Sequence, residues 1–202
     1  FTAPIEQALF AMVANRALSP SSKLAIEQWA AEAVFLGGEE TPLQVQHCYR
    51  AMDFLLEHAE AIQKEVFWST ASLLNLTVDL IFFDTTNIYF EIDEPGPSEL
   101  KAYGKSKEKR DDLPLVTVGL AVTREGIPVR CWCWPGNTND NSILPEVKDG
   151  LRGWRLGRVV TVVDRGFSSN ANLDYLRRAG GHWIAGEKMR DGSPDAQEVL
   201  SR

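Results

Sequence analysis

Two aspartates occupy positions where a carboxylate is unusual. Asp84 lies within residues 81–91, a run dominated by aromatic and β-branched residues that predicts a β-strand. Asp164 directly follows residues 159–163, a continuous apolar run typical of a strand buried on both faces. Because a buried, unpaired carboxylate is costly, Asp84 is either a structural residue bonded to backbone groups or a metal ligand on a rigid element. The two aspartates together suggest a shared cation.

Length and composition are those of an ordinary globular protein. The chain has 202 residues, 44% of them hydrophobic and 24% charged, which is enough for one or two domains with a proper core. No apolar run approaches the roughly 20 residues that a bilayer span requires, and the first residues lack a signal-peptide profile. The three cysteines argue against a disulfide framework. Because the sequence starts without methionine and stops in a polar stretch, we expect it to be a piece of a longer protein.

Basic residues cluster in one polar loop of an acidic chain. The formal net charge is −7, and residues 1–80 contribute −6 of it. The cluster consists of Lys101, Lys105, Lys107, Lys109 and Arg110. It is either a site for phosphate groups or a solvated loop, and its composition alone favours neither interpretation.

The elements that would position these residues change in type near residue 77. Amphipathic stretches that begin at Ser19-Pro20 and Thr41-Pro42 predict a small helical bundle over residues 1–76. Strands are expected at 81–91, 115–123, 127–134, 159–163 and 183–186. A polar loop is expected at 93–112, and helices are expected after the turn 135–140 and after residue 168.

The third predicted strand carries two cysteines. Strand alternation places Val129, Cys131 and Cys133 on one face and Arg130, Trp132 and Trp134 on the other. No further ligands for a zinc ion are found near Cys131 and Cys133. We therefore expect both cysteines to pack on one face of the sheet.

This order of elements predicts a mixed α/β fold of the ribonuclease H-like type, with a five-stranded sheet and flanking helices. A right-handed crossover from the third strand would lay residues 159–163 beside the central strand. Asp84 and Asp164 would then be close in space although they are distant in sequence. Oxygen ligands in such a pair suit Mg²⁺ and the two-metal sites of phosphoryl-transfer enzymes.

Four motifs in order give the sequence a family resemblance. They are Phe83-Asp84-Thr85-Thr86 with Tyr89-Phe90-Glu91, Gly104-x-Ser106-Lys107-x-x-Arg110-x-Asp112-Leu113-Pro114, Pro135-Gly136-Asn137-Thr138-x-Asp140, and Asp164-Arg165-Gly166-Phe167. The chain resembles bacterial insertion-sequence transposases of the DDE type whose ribonuclease H-like core is interrupted by a β-rich insertion. The similarity spans nearly the whole chain.

The resemblance implies roles for the residues in these motifs. Asp84 would be the first catalytic aspartate and Asp164 the second, and both would hold metal. Lys105, Lys107 and Arg110 would contact DNA, whereas Arg165 would touch a scissile phosphate or pair with a carboxylate. Two further residues, Asn137 and Asp140, would lie at the edge of the site or simply form the turn.

The third acid of that family is a glutamate on a helix beyond the insertion. Neither Glu187 nor Glu198 fits its pattern, so the fragment is expected to end as the insertion begins and to be inactive by itself. The implied division is a helical region at 1–76, a partial catalytic core at 77–190 and a tail at 191–202. Asp111 stands where the family often has proline, a local difference.

The resemblance also implies a reaction and its partners. The parent protein would cleave DNA and transfer strands at insertion-sequence ends, with two Mg²⁺ ions that Mn²⁺ could replace. The expected partners are double-stranded DNA and a second copy of the protein, in a synaptic complex. The expected location is the bacterial cytoplasm, near the nucleoid, and no membrane is involved. The alternatives are a ribonuclease H-like nuclease and an inactive, repurposed domain that binds DNA or protein.

Overall fold

The computed structural model describes residues 4–33, 42–92, 96–156, 158–178, 181–186 and 197. Within them the chain divides into two compact units, residues 1–62 and 63–202. No helix in the described part of the chain is long and apolar enough to cross a bilayer. The predicted tail at 191–202 lies outside the described residues except for Gln197.

The first unit is helical, as its amphipathic stretches predict. Its helices are α1 (Ile5–Leu18), α2 (Lys23–Ala33), α3 (Val45–Glu57) and the start of α4 (Ala59–Leu73). Small residues such as Ala8, Ala11 and Ala51 form its buried centre together with Ile26. Such small side chains let helices approach closely, because little volume separates their backbones.

The second unit is built on one mixed sheet. Its strands are β1 (Leu80–Tyr89), β2 (Ala102–Tyr103), β3 (Pro114–Thr123), β4 (Pro128–Pro135), β5 (Val160–Val163) and β6 (His182–Ala185). Its helices after the sheet begins are α5 (Asp140–Gly150) and α6 (Asn170–Arg178). The sheet runs in the order β2-β3-β1-β5-β6, and β4 pairs with β3 beyond the short β2.

The mixed α/β, ribonuclease H-like architecture predicted from the sequence is confirmed. β5 pairs in parallel with β1, as the crossover argument requires, and β3 pairs with β1 antiparallel. The five predicted strands all form, but β2 is a sixth, within the predicted polar loop. Its two residues are too few to show alternation.

One face of the sheet is packed and the other is open in the described chain. The packed face carries Phe83, Ala121 and Val163 against Phe67 of α4 and Leu144 of α5, with the remaining core side chains around them. Phe67 of α4 belongs to this core, and the division between the compact units falls inside α4. The domain limits 1–76, 77–190 and 191–202 stay predictions.

Two expectations for β4 are wrong. Cys131 and Cys133 are exposed on the open face instead of packed, because the described chain places no helix over that side. Val129 does not share their orientation: it is buried in the same core as Trp132 and Trp134. The reason is a register shift, in which Ala121 pairs with Arg130 but Val122 pairs with Pro128. The extra residue of such a bulge resets the alternation.

Candidate active site

Asp84 and Asp164 lie side by side at the point where β5 ends. Phe83 of β1 pairs with Val163 of β5; Asp84 is the next residue of β1, and Asp164 directly follows β5. Neighbouring strands are about 4.8 Å apart, so the two backbones are adjacent here. Phe83 and Val163 are buried against the helices, whereas both aspartates are exposed on the other face. The topology therefore presents two carboxylates together.

The environment of Asp84 decides between the two interpretations of a carboxylate within a strand. Its side chain is 73% exposed, so it incurs little desolvation. The amide N–H of Thr85 donates to Asp84 Oδ1 at 2.7 Å. A single adjacent backbone bond leaves most of the carboxylate's accepting capacity open. Asp84 is therefore an accessible carboxylate and not a buried structural residue.

Lys107 is the basic residue that reaches this carboxylate. Its Nζ lies 3.7 Å from Asp84 Oδ1, donates to the carbonyl oxygen of Thr85, and lies 3.3 Å from Thr85 Oγ1. The side chain of Lys107 is 44% exposed, so the ion pair is partly solvated and adds little stability. Its effect is electrostatic: a fixed positive charge stands next to the first aspartate.

Asp140 connects the two aspartate-bearing segments. The hydroxyl of buried Thr85 donates to Asp140 Oδ1 at 2.9 Å, and Asp140 is the first residue of α5. Asp140 Oδ2 also lies 3.5 Å from the position that a Cβ on Gly166 would occupy. Asp140 thus sits between the strand of Asp84 and the turn that follows Asp164. The turn-forming bond belongs to its neighbour, because Asn139 Oδ1 accepts from the N–H of Asn141 at 2.9 Å.

A polar cavity of about 460 Å³ lies beside these residues. It is lined by Lys105, Lys107, Asn137 and Asp140, among others. Gly104 and Gly136 bring its two loops together: a Cβ on Gly104 would lie 2.3 Å from the carbonyl oxygen of Gly136. The structure therefore groups the basic loop with the turn at 135–140, next to Asp84.

The two arginines named from the sequence have different surroundings. Arg110 is bound by carboxylates, at 3.0 Å from Asp112 and 3.3 Å from Glu91, and it holds the pKa of Asp112 below its usual value by hydrogen bonding. Arg165 begins the short 3-10 turn Arg165–Phe167, where it is exposed. Within the described residues no carboxylate pairs with Arg165. A phosphate contact thus remains open to Arg165, whereas Arg110 would first have to leave its partners.

The aspartate pair also borders a groove on the open face. This groove, of about 600 Å³, runs from Asp84 and Asp164 along apolar residues that include Phe82, Leu120 and Val162. Phe82 and Leu120 are 39% and 41% exposed. Within the described residues no third acidic, histidine or cysteine side chain completes a metal-binding group. Glu187 and Glu198, which did not fit the family pattern, lie outside the described residues.

Removing the charge of Lys107 should strengthen the binding of a divalent cation at Asp84. Lys107→Met removes an ammonium that competes with the cation, and for such exposed charges the expected gain in Mn²⁺ affinity is about two- to fivefold. The measurement is Mn²⁺-induced relaxation of water protons. Lys105→Met is the matched control, because no described ion pair joins Lys105 to Asp84. Equal affinities in the wild type and the Lys107→Met variant would contradict the competition.

Sequence reasoning missed Thr85 and Asn139 as parts of this site. In the sequence Thr85 stands out only as part of a motif, although its hydroxyl links Lys107 to Asp140. A buried threonine beside an exposed aspartate follows from strand alternation, and that was the available signal. Asn139 offered the ordinary signal of an N-cap before an apolar helix.

Together, the fold and the site define a ribonuclease H-like domain with two aspartates on neighbouring parallel strands. The family described as the transposase DDE domain matches residues 80–196, more than half of the chain. The chain belongs to this transposase family. No curated protein sequence matches it.

A solved transposase structure has a similar fold at low sequence identity. The piggyBac transposase synaptic complex with hairpin DNA matches 98% of this chain at 13% identity with a TM-score of 0.50. This chain covers 43% of that transposase chain, less than half its length. A pre-cleavage Mos1 transpososome matches 100% of this chain and 85% of its own, at 12% identity and a TM-score of 0.35.

Proposed function

We propose that this chain supplies the first two acidic residues of a DNA transposase active site. The observation that carries the proposal is that Asp84 and Asp164 directly follow paired positions of β1 and β5 and line the same groove. The parent protein would cleave DNA at the ends of a bacterial insertion sequence and join the freed strands to a target. Its partners would be double-stranded DNA and a second copy of itself.

The aspartate pair fits hard divalent cations such as Mg²⁺ or Mn²⁺. Both carboxylates are accessible and offer only oxygen ligands, which these ions prefer. Asp84 would hold both ions and Asp164 one of them. When bound, such ions activate the attacking oxygen and neutralise charge on the phosphodiester.

A third acid is expected outside the described residues, on a helix covering the open face of the sheet. Both aspartates project from that face, and the groove beside them is apolar, as a surface that receives a helix would be. A glutamate on such a helix would complete the site. Two carboxylates alone leave most of an octahedral shell to water, so the chain by itself should bind Mg²⁺ weakly and cleave little.

The remaining residues of the site would bind and orient DNA. Lys107 and Lys105 face the polar cavity beside Asp84, where their charges can contact phosphates on either side of the cleaved bond. Arg165 would contact a phosphate near Asp164. Asp140 and Thr85 would hold the two aspartate-bearing segments in place without contacting DNA.

The proposal is tested with the complete reading frame that contains this chain, on a labelled duplex carrying the element's terminal repeat. We expect a metal-dependent nick at the repeat boundary, which leaves a 3′-hydroxyl that then joins to target DNA. A chelator should abolish both products. Cleavage without strand joining, or cleavage of RNA–DNA hybrids only, would overturn transposition in favour of a nuclease.

A further inference from the structure

A second cavity, separate from the one beside Asp84, contains a concentration of positive charge. This cavity, of about 430 Å³, is called the basic cavity here and lies where β5 and β6 begin, beside the end of α5. Thr161, on its wall, is three residues before Asp164, so the cavity and the aspartates are about 10 Å apart along β5. Its polar lining consists of Lys148, Arg152, Arg155, Arg158, Thr161 and His182.

The positive charges of the basic cavity are poorly compensated. Of its four basic residues only Arg152 has a described carboxylate partner, Asp149 at 3.0 Å. Lys148 instead donates to the neutral hydroxyl of Thr161 at 2.8 Å. The guanidinium of Arg158 donates to Nε2 of His182 at 2.9 Å, which requires a neutral imidazole. The chain as a whole is acidic, with a net charge of −7. The excess of positive charge at this cavity is therefore local and does not follow from the composition.

Helix electrostatics account for part of this cluster only. Lys148 lies in the last turn of α5 and Arg152 just beyond it, where positive charge stabilises the helix dipole. Arg155 and Arg158 belong to the segment that leads into β5, beyond the last turn of that helix. Arg155 also adopts a φ of 54°, a left-handed conformation that is unfavourable for a residue with a Cβ. This conformation is the one with which the short 3-10 turn Arg152–Trp154 ends.

Lys148, a partly buried cation of the basic cavity, is repelled by a neighbouring positive charge. Burial lowers the pKa of the Lys148 ammonium, and the nearby charge of Arg152 lowers it further. A cation that is partly buried beside other cations is destabilised unless an anion enters. The cavity has room for such an anion, because its volume lies within the range of small-ligand sites.

We propose that the basic cavity binds a phosphate group. Arginine guanidinium groups match the geometry of phosphate oxygens with paired N–H donors, and Arg155 and Arg158 are exposed at the cavity. Lys148 supplies a further point charge at the same cavity. The phosphate comes either from a DNA backbone or from a free phosphate compound. The site itself does not depend on the proposed transposase activity.

Inorganic pyrophosphate is the first probe, and His182 is the reporter. The chain has three histidines, and only His182 lines the cavity, so its imidazole proton resonances can be followed separately. Pyrophosphate should shift the His182 resonances in a saturable manner, with a dissociation constant of about 1 mM or lower, and leave His47 and His58 unchanged. Resonances of His182 that do not move during the titration would overturn the proposal.

Charge-removing variants test which side chains hold the anion. Arg155→Gln and Arg158→Gln should each raise the dissociation constant for pyrophosphate about tenfold, because each removes charge-assisted hydrogen bonds. Arg177→Gln is the matched control: it removes the same charge from an arginine that is paired with Asp174 and does not line the cavity. Unchanged affinity in both cavity variants, or an equal loss in the control, would show nonspecific binding and overturn the site.

Binding of duplex DNA over a range of salt concentrations identifies the source of the phosphate. If the cavity holds a backbone phosphate, the slope of log affinity against log salt should fall by about 0.9 in Arg158→Gln and not in Arg177→Gln. If pyrophosphate binding is lost in Arg158→Gln while the DNA slope is unchanged, the ligand is a free phosphate compound. Both results support the site and assign its ligand.

Discussion

Asp84→Asn and Asp164→Asn should each reduce metal-dependent DNA cleavage by the complete protein at least about 1,000-fold. An amide cannot supply the negative charge that holds a divalent cation, so both the placement of the ion and the neutralisation of phosphate charge are lost. The measurement is the initial rate of nicking at the labelled element end. The loss should be similar for the two variants because the two residues directly follow paired positions of β1 and β5 and would share one ion.

These two substitutions should leave the fold intact. Asp84 is largely exposed, and an asparagine oxygen can still accept the hydrogen bond that Thr85 donates. Thermal unfolding of each variant should therefore match the wild type. Asp174→Asn, which removes an exposed carboxylate of α6, is the matched charge control and should cleave normally. Wild-type cleavage by either site variant would remove that residue from the catalytic group.

The strands and their neighbours could be predicted, because hydrophobic periodicity and the order of the elements along the sequence are enough to define them. The apolar run before Asp164 and the aromatic run around Asp84 each contain enough residues to define a strand. The right-handed preference of crossover connections then places β5 beside β1. The prediction that the aspartates are neighbours rests on this topology, and the pairing of Phe83 with Val163 agrees with it.

Contacts between side chains distant in sequence could not be predicted in the same way. The link from Thr85 to Asp140 joins residues 55 positions apart and depends on where α5 begins relative to β1. The basic cavity likewise collects residues from the end of α5, the segment before β5 and the start of β6. None of these residues forms a run or motif in the sequence. Their proximity is a product of packing.

The error at Val129 has a local cause. Alternation assigns faces correctly only while each residue has one partner, and a single extra residue reverses every assignment on one side of it. Here the shift falls between Arg130 and Pro128, so Val129 joins the buried face with Trp132 and Trp134. The two cysteines then remain on the open face, where a helix outside the described residues is proposed to pack.

Phe167→Ala should destabilise the second unit by about 3–5 kcal/mol, the usual effect of removing a buried aromatic ring. Phe167 is 1% exposed and packs edge-to-face on Phe83, with ring centroids 5.3 Å apart. Its carbonyl oxygen accepts a hydrogen bond from buried Asn172 at 3.0 Å. Phe167 therefore anchors the turn after Asp164 to the core beneath Asp84. Thermal unfolding should show a decrease in Tm of roughly 10 °C.

Phe82→Ala is the matched control because Phe82 lies on the same strand as Phe83 but on the open face, where it is 39% exposed. Its substitution should cost less than about half as much, since a smaller apolar area leaves a buried environment. Phe167→Ala should also slow cleavage at temperatures where the protein is still folded, because the turn that holds Asp164 loses its anchor. Equal decreases in Tm for the two variants would show that the packed and open faces are energetically alike, and the assigned position of the core would then be wrong.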